Sequence, residues 1–179
     1  YSQEILSDLI INPILQKNNK NLHINKKVST QMVELSLPFI DDFSYDEPNV
    51  NNILWKKSSV FVNRTYSIDP PTIGVATFDG LDSTGYPYDF SSSTSWGIAD
   101  SLTSHPIDLT TINDSVYLSF QYQPQGNGNA PESGDSLRLD FFRKADSTWI
   151  RVWQVGGSAT HSFKKVMVPV GTDFHNDEF

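Results

Sequence analysis

The sequence predicts an all-β protein whose strands stack as two antiparallel layers or close as a barrel. Three observations carry this. Aromatic residues make up 12% of the 179 residues and lie beside Val, Ile, Thr and Ser, the residue types that suit a pleated, half-buried surface. Gly, Pro, Asn and Asp recur throughout as turn formers. Short segments between Leu37 and Val170 alternate apolar and polar positions, at intervals expected of a sandwich.

Residues 1–36 stand apart. They carry many of the Lys and Asn residues, and Leu6, Leu9 and Ile10 have helical spacing until Pro13 breaks the pattern. This stretch reads as a partly ordered N-terminal extension or a docking segment using Ile5, Leu9, Ile14 and Leu15. The domain proper is expected over 37–179. "MVELSLPFI" supplies the first strand candidate, and "ILWKKSSVFVN" alternates around Val60 and Val62. "TIGVATFDGL" is an apolar run closed by Asp79-Gly80. In "SVYLSFQYQP", Val116, Leu118, Phe120 and Tyr122 oppose Tyr117, Ser119 and Gln121, which predicts a strand with one wet face. "SLRLDFFRKADSTWIRVWQVGG" reads as a hairpin turning at Lys144 to Ser147. Leu137, Leu139 and Phe141 share one face of it, and the even spacing of Trp149, Arg151 and Trp153 places those three together. "HSFKKVMVPV" adds one further strand.

Residues 82–97 and 123–136 are loops by composition. The first mixes aromatics with serines and is a candidate binding rim; the second is rich in Gly, Asn and Pro and reads as mobile. The chain opens on Tyr1, which suggests a removed leader or a fragment. "VPVGTDFHNDEF" stops on an aromatic residue that could begin a strand, so the domain is expected to be cut before its last strand or strands.

The formal charge of -8 comes from dispersed acids. No Lys/Arg stripe offers the phosphate-neutralising surface that nucleic-acid binding requires. Zero cysteines exclude disulfides and thiolate chemistry. No apolar stretch is long enough for a transmembrane helix.

In order, "FIDDFSY", "LWKK", "TIGVATFDG", "ADSLTSHPIDL", "VYLSFQYQPQGNG", "DSLRLDFFRKADSTWIRVWQVGG" and "HSFKKVMVPV" resemble the run of motifs in MAM-like and related concanavalin-like jelly-roll domains. The likeness covers about residues 37–170 and lies in order and spacing more than in identity. It implies a two-sheet antiparallel jelly-roll sandwich. The cysteines of the animal versions are absent, as is the terminal strand signature. "LPFIDDFS" and "PPTIGVATFDGLD" further resemble surface and secreted proteins of the Bacteroidota that use type IX secretion and gliding motility machinery. That resemblance implies an extracellular or cell-surface protein associated with the outer membrane.

The jelly-roll likeness also implies a structural calcium held by Asp42 and Ser44, with Asp41 adjacent. Calcium takes six to eight oxygens, and neighbouring strand residues point opposite ways, so other oxygens must converge; Asp79, Asp82 and Asp108 are candidate contributors, and the missing C-terminal strand would be expected to give at least one. The rival reading makes Asp41 and Asp42 solvated edge residues that oppose strand pairing. Binding candidates in the first loop are Tyr86, Tyr88, Phe90 and Trp96, with covering the open end of the core as their alternative. Trp149 and Trp153 suit either a sugar-stacking platform or the core. For glycoside chemistry, Asp140 is the one acid in the middle of a strong strand, and a dyad needs a second carboxyl across a groove. The four histidines lack zinc spacing, and His105 before Pro106 suits a turn. "DSL" at 100–102 and 135–137 and "DSV" at 114–116 resemble an O-glycosylation pattern of the same bacteria.

Together these expectations describe a non-catalytic recognition or adhesion domain. Its partners would be other protein chains of a surface or secretion complex. The alternative is a carbohydrate-binding module of a secreted protein recognising glycans, and the third reading is a glycoside-active enzyme.

Overall fold

In a computed structural model, residues 34–45, 48–82, 86–89 and 96–179 are described; the expected N-terminal docking residues and Phe90 lie outside them. Among the described residues the fold is all-β with no α-helix. Its strands are β1 (Trp55–Ser58), β2 (Phe61–Asn63), β3 (Val75–Thr77), β4 (Leu102–Ser104), β5 (Val116–Tyr122), β6 (Ser136–Arg143), β7 (Thr148–Gly156) and β8 (Lys164–Val170). They pair antiparallel as β1–β4, β2–β3, β5–β8 and β6–β7. These ladders, each two strands wide, do not join into closed sheets.

"ILWKKSSVFVN" does not form the single strand its alternation suggests. Ser58 Oγ accepts from the Val60 amide at 3.2 Å, and the resulting kink separates β1 from β2, which pair with different partners. Past the kink, Val60, Phe61 and Val62 are buried consecutively.

The two long ladders face each other across a shared core. β5 alternates as its sequence predicts, turning Val116, Leu118, Phe120 and Tyr122 inward. Val116 from β5, Phe141 from β6 and Val170 from β8 form the core with Ile107 and the fully buried Leu109. Leu118, Leu139, Val152 and Val168 pack around them.

Two further segments complete this core. Leu35, on the N-terminal side of the expected domain boundary, exchanges backbone hydrogen bonds with the 106–108 segment at 2.8 Å. On that segment's other side, the Ile107 amide donates to the Phe179 carbonyl and the Leu109 amide to the Asn176 carbonyl, both at 2.8 Å. The Phe179 ring packs edge-on against Phe141 at 4.9 Å. The final aromatic is thus a core wedge in this structure.

In the loop 123–136, the Gln123 side-chain amide accepts from the Ile68 amide and donates to the Ile68 carbonyl, each at 3.0 Å. It also donates to the His161 carbonyl at 3.1 Å. Gly126 takes φ 111° against Tyr66, where a Cβ would lie 2.2 Å from the carbonyl oxygen. The stretch expected to be mobile by composition is therefore tied to two neighbouring segments.

Candidate functional site

Asp41 and Asp42 are successive Asx turns. Asp41 Oδ1 accepts from the Phe43 amide at 2.9 Å, and Asp42 Oδ1 accepts from the Ser44 amide at 3.1 Å. Short side chains that bond the backbone two residues on favour turns over ladder pairing, and here they hold Phe43 at φ 54°.

Beyond the turn, the two carboxylates part company. Asp41 Oδ2 accepts from the Trp55 indole Nε1 at 2.7 Å and from the Tyr45 hydroxyl at 3.3 Å. The Tyr45 oxygen in turn accepts from the Asn51 amide at 3.1 Å. Phe39 meets Trp55 edge-on at 5.3 Å, and Phe43 lies nearly parallel to Trp55 at 6.2 Å. Burial, reinforced by the Asp41 charge, pushes the Tyr45 phenol up to about 12 despite the Asn51 bond. Asp42 remains exposed, and the Ser44 hydroxyl is 3.5 Å from its own turn's Asp42 carbonyl. The oxygens of Asp41 thus meet three hydrogen-bond donors, the Phe43 amide, the Tyr45 hydroxyl and the Trp55 indole.

The other aspartates considered as calcium ligands also cap local backbone. Asp79 accepts from Leu81, Asp82 from Tyr86, and Asp108 from both the amide and hydroxyl of Thr110. Among the described residues no three His, Asp or Glu side chains converge on a common point. His105, directly after β4, meets the Asn52 carbonyl through Nε2 at 3.1 Å and donates its amide to the Leu54 carbonyl at 3.0 Å, so it ties the end of β4 to the 52–54 turn and does not itself form the turn expected before Pro106.

The loop aromatics occupy different settings. The Tyr88 hydroxyl donates to Asp100 Oδ1 at 2.8 Å, while Asp100 Oδ2 accepts from the Gly80 amide at 2.7 Å. Burial raises the Asp100 pKa, against the pull of these two donors. Tyr86 lies at a short bridge in which its carbonyl accepts from the Asp82 amide at 2.7 Å. Trp96 is 84% exposed, and a Cβ on Gly134 would lie 3.3 Å from its ring, so the two long loops meet there.

The β6–β7 hairpin departs from its sequence-based expectation. Leu139 pairs with Trp153 and Asp140 with Arg151, leaving Val152 as an extra residue on β7. A bulge of this kind shifts the alternation by one. Trp153 consequently turns inward onto Phe120 at 5.1 Å and Tyr122 at 5.3 Å. Trp149 faces outward, 56% exposed, against Phe142 at 5.2 Å. The two indoles do not share a face.

The outward face of the hairpin carries three cross-strand rows: Phe142 opposite Trp149, Asp140 opposite Arg151, and Arg138 opposite Gln154. Arg138 Nε lies 3.2 Å from Asp140 Oδ2, and Arg151 Nε 3.8 Å from Oδ1. Gln154 Oε1 accepts from Arg151 Nη1 at 2.8 Å. Among the described residues, Asp140 Oδ1 is buried without a hydrogen-bond partner. No sequence signal reveals this arrangement, because the bulge that sets its register exists only in the pairing of two strands.

No protein-family model, curated protein or solved structure matches the chain.

Proposed function

We propose that this chain is a non-catalytic recognition and assembly domain of an exported cell-surface protein, a jelly-roll sandwich in the complete protein and a component or passenger of a type IX secretion or gliding apparatus. One observation carries the assembly reading: among the described residues β5, β6, β7 and β8 each have a single strand neighbour. Each ladder has outer backbone edges to which a partner strand can add. Pro169, inside β8, removes one donor from that strand, a device suited to an edge that must choose its partner.

The carboxylate arrangement supports recognition over hydrolysis. Asp140 is set against two guanidinium groups where a glycoside-cleaving dyad requires a second carboxyl. Asp41 is engaged by an indole, a phenol and a backbone amide.

The second reading is a carbohydrate-binding module working through the loop rim, and the exposure of Trp96 favours it. Affinity capture from the native cell envelope, run beside a glycan array, separates the two. Assembly predicts a discrete protein partner whose binding slows amide exchange along β5–β8 or β6–β7. Glycan binding that disappears with Trp96→Ala, together with no captured protein, reverses the order.

A further inference from the structure

We propose that the outward face of the β6–β7 hairpin binds a uronate residue of an acidic polysaccharide, its sugar ring stacking on Trp149 and its carboxylate meeting the Arg151 guanidinium. This site is separate from the strand edges and does not require the assembly reading.

The first support is charge. Arg138 and Arg151 both ion-pair with Asp140, and Asp140 is the only carboxylate that does so with either among the described residues. One anion shared between two guanidinium groups leaves a local surplus of one positive charge, on a chain whose formal net charge is -8. That surplus favours an anionic ligand. An arginine fork suits a carboxylate better than a point charge would, because its donors are coplanar and can engage both oxygens.

Geometry gives the second support. Adjacent rows on one face of a strand lie about 7 Å apart, which separates a stacked six-membered ring from its exocyclic carboxylate's partner by a suitable distance. Trp149 presents an exposed ring, and Phe142 braces it at 5.2 Å. Gln154 fixes Arg151 from one side through the 2.8 Å bond to Nη1. Arg151 Nε stands 3.8 Å from Asp140 Oδ1, an ion-pair distance too long for a hydrogen bond. Its charge is therefore oriented without being saturated. A peptide carboxylate would satisfy the arginine alone, whereas a uronate also supplies the flat C–H face that an aromatic ring accepts.

Calorimetry on the full chain with galacturonan and mannuronan oligosaccharides tests this, with methyl-esterified galacturonan and polyglutamate as comparators. At least one uronan is expected to bind, and added salt to weaken it. Trp149→Ala is expected to reduce affinity about tenfold. Arg151→Gln should reduce it roughly tenfold to a hundredfold. Trp149→Phe keeps a ring against Phe142 and should retain part of the affinity, which covers the case in which Trp149→Ala fails to fold. The proposal is overturned if neither uronan binds, if the methyl ester or polyglutamate binds as tightly, or if folded Trp149 and Arg151 variants retain full affinity.

Discussion

The Trp55 indole nitrogen donates to Asp41 Oδ2 across 2.7 Å, joining residues fourteen positions apart. That bond fixes the start of the domain onto β1. It also separates the contributions of two adjacent aspartates that look equivalent in sequence. Asp41→Ala leaves the Trp55 and Tyr45 donors without their acceptor and is expected to cost about 2 kcal/mol. Asp42→Ala removes one exposed turn bond and should cost roughly 0.5 kcal/mol. Urea denaturation of the two variants checks the ranking, and equal losses would refute the role assigned to Asp41.

Tyr45 gives the domain a sensitivity to strong alkali. Its pKa rises from 10.0 to about 12 in the folded chain, so the unfolded chain loses the phenolic proton first. The contribution is fully present below pH 10 and is lost as pH climbs through about 12. Tyr88, also raised by burial, acts in the same direction. Tyr45→Phe should flatten part of the stability loss across this window, as measured by denaturation at stepped pH. An unchanged slope would contradict the assignment.

Calcium at Asp41 would have to share oxygens that already accept from the Phe43 amide, the Tyr45 hydroxyl and the Trp55 indole, with no third His, Asp or Glu converging there among the described residues. Added calcium is therefore expected to leave both the melting temperature and the Trp55 contribution to fluorescence unchanged. A saturable rise in melting temperature that disappears with Asp42→Ala would instead place the cation on the exposed side of this turn.

Gly74 is buried where a Cβ would lie 2.0 Å from the Phe43 carbonyl oxygen. Gly74→Ala must push the Asp41–Asp42 turn away from β3, at about 1–3 kcal/mol. Gly97→Ala meets nothing within 4 Å and should be close to neutral. Thermal melts of the pair provide the check, and a neutral Gly74→Ala would show that the turn yields easily.

Loss of the Phe179 ring should also destabilise the fold, although its Ile107 bond is to backbone. Phe179→Ala removes contacts with Phe141 and Phe174 from a half-buried site and is expected to cost about 2 kcal/mol. Chemical denaturation measures it, with Asp177→Ala as a surface control that loses the exposed Lys144 ion pair and removes no core ring.

What the sequence revealed depended on range. β5 was legible because its inward residues declare themselves at period two within seven positions. The turn at Asp41 and Asp42 is equally local, since each carboxylate bonds a backbone amide two residues ahead. The partnership with Trp55 was not legible, because nothing in either residue's neighbourhood names the other. Trp149 and Trp153 misled for a related reason: their even spacing is real, but Val152 is extra only relative to β6. Loop 123–136 looked loose by composition, while Gln123 finds its partners at Ile68 and His161.

The extra residue on β7 has a consequence for how this hairpin can change. A version lacking Val152 would keep Arg151 across from Asp140 and Trp153 across from Leu139, on a plain strand with the same two faces. The added residue supplies twist and one more apolar side chain, leaving both surfaces intact. The indole that meets solvent and the indole that seals the interior can therefore be altered separately, each drifting without dragging the other.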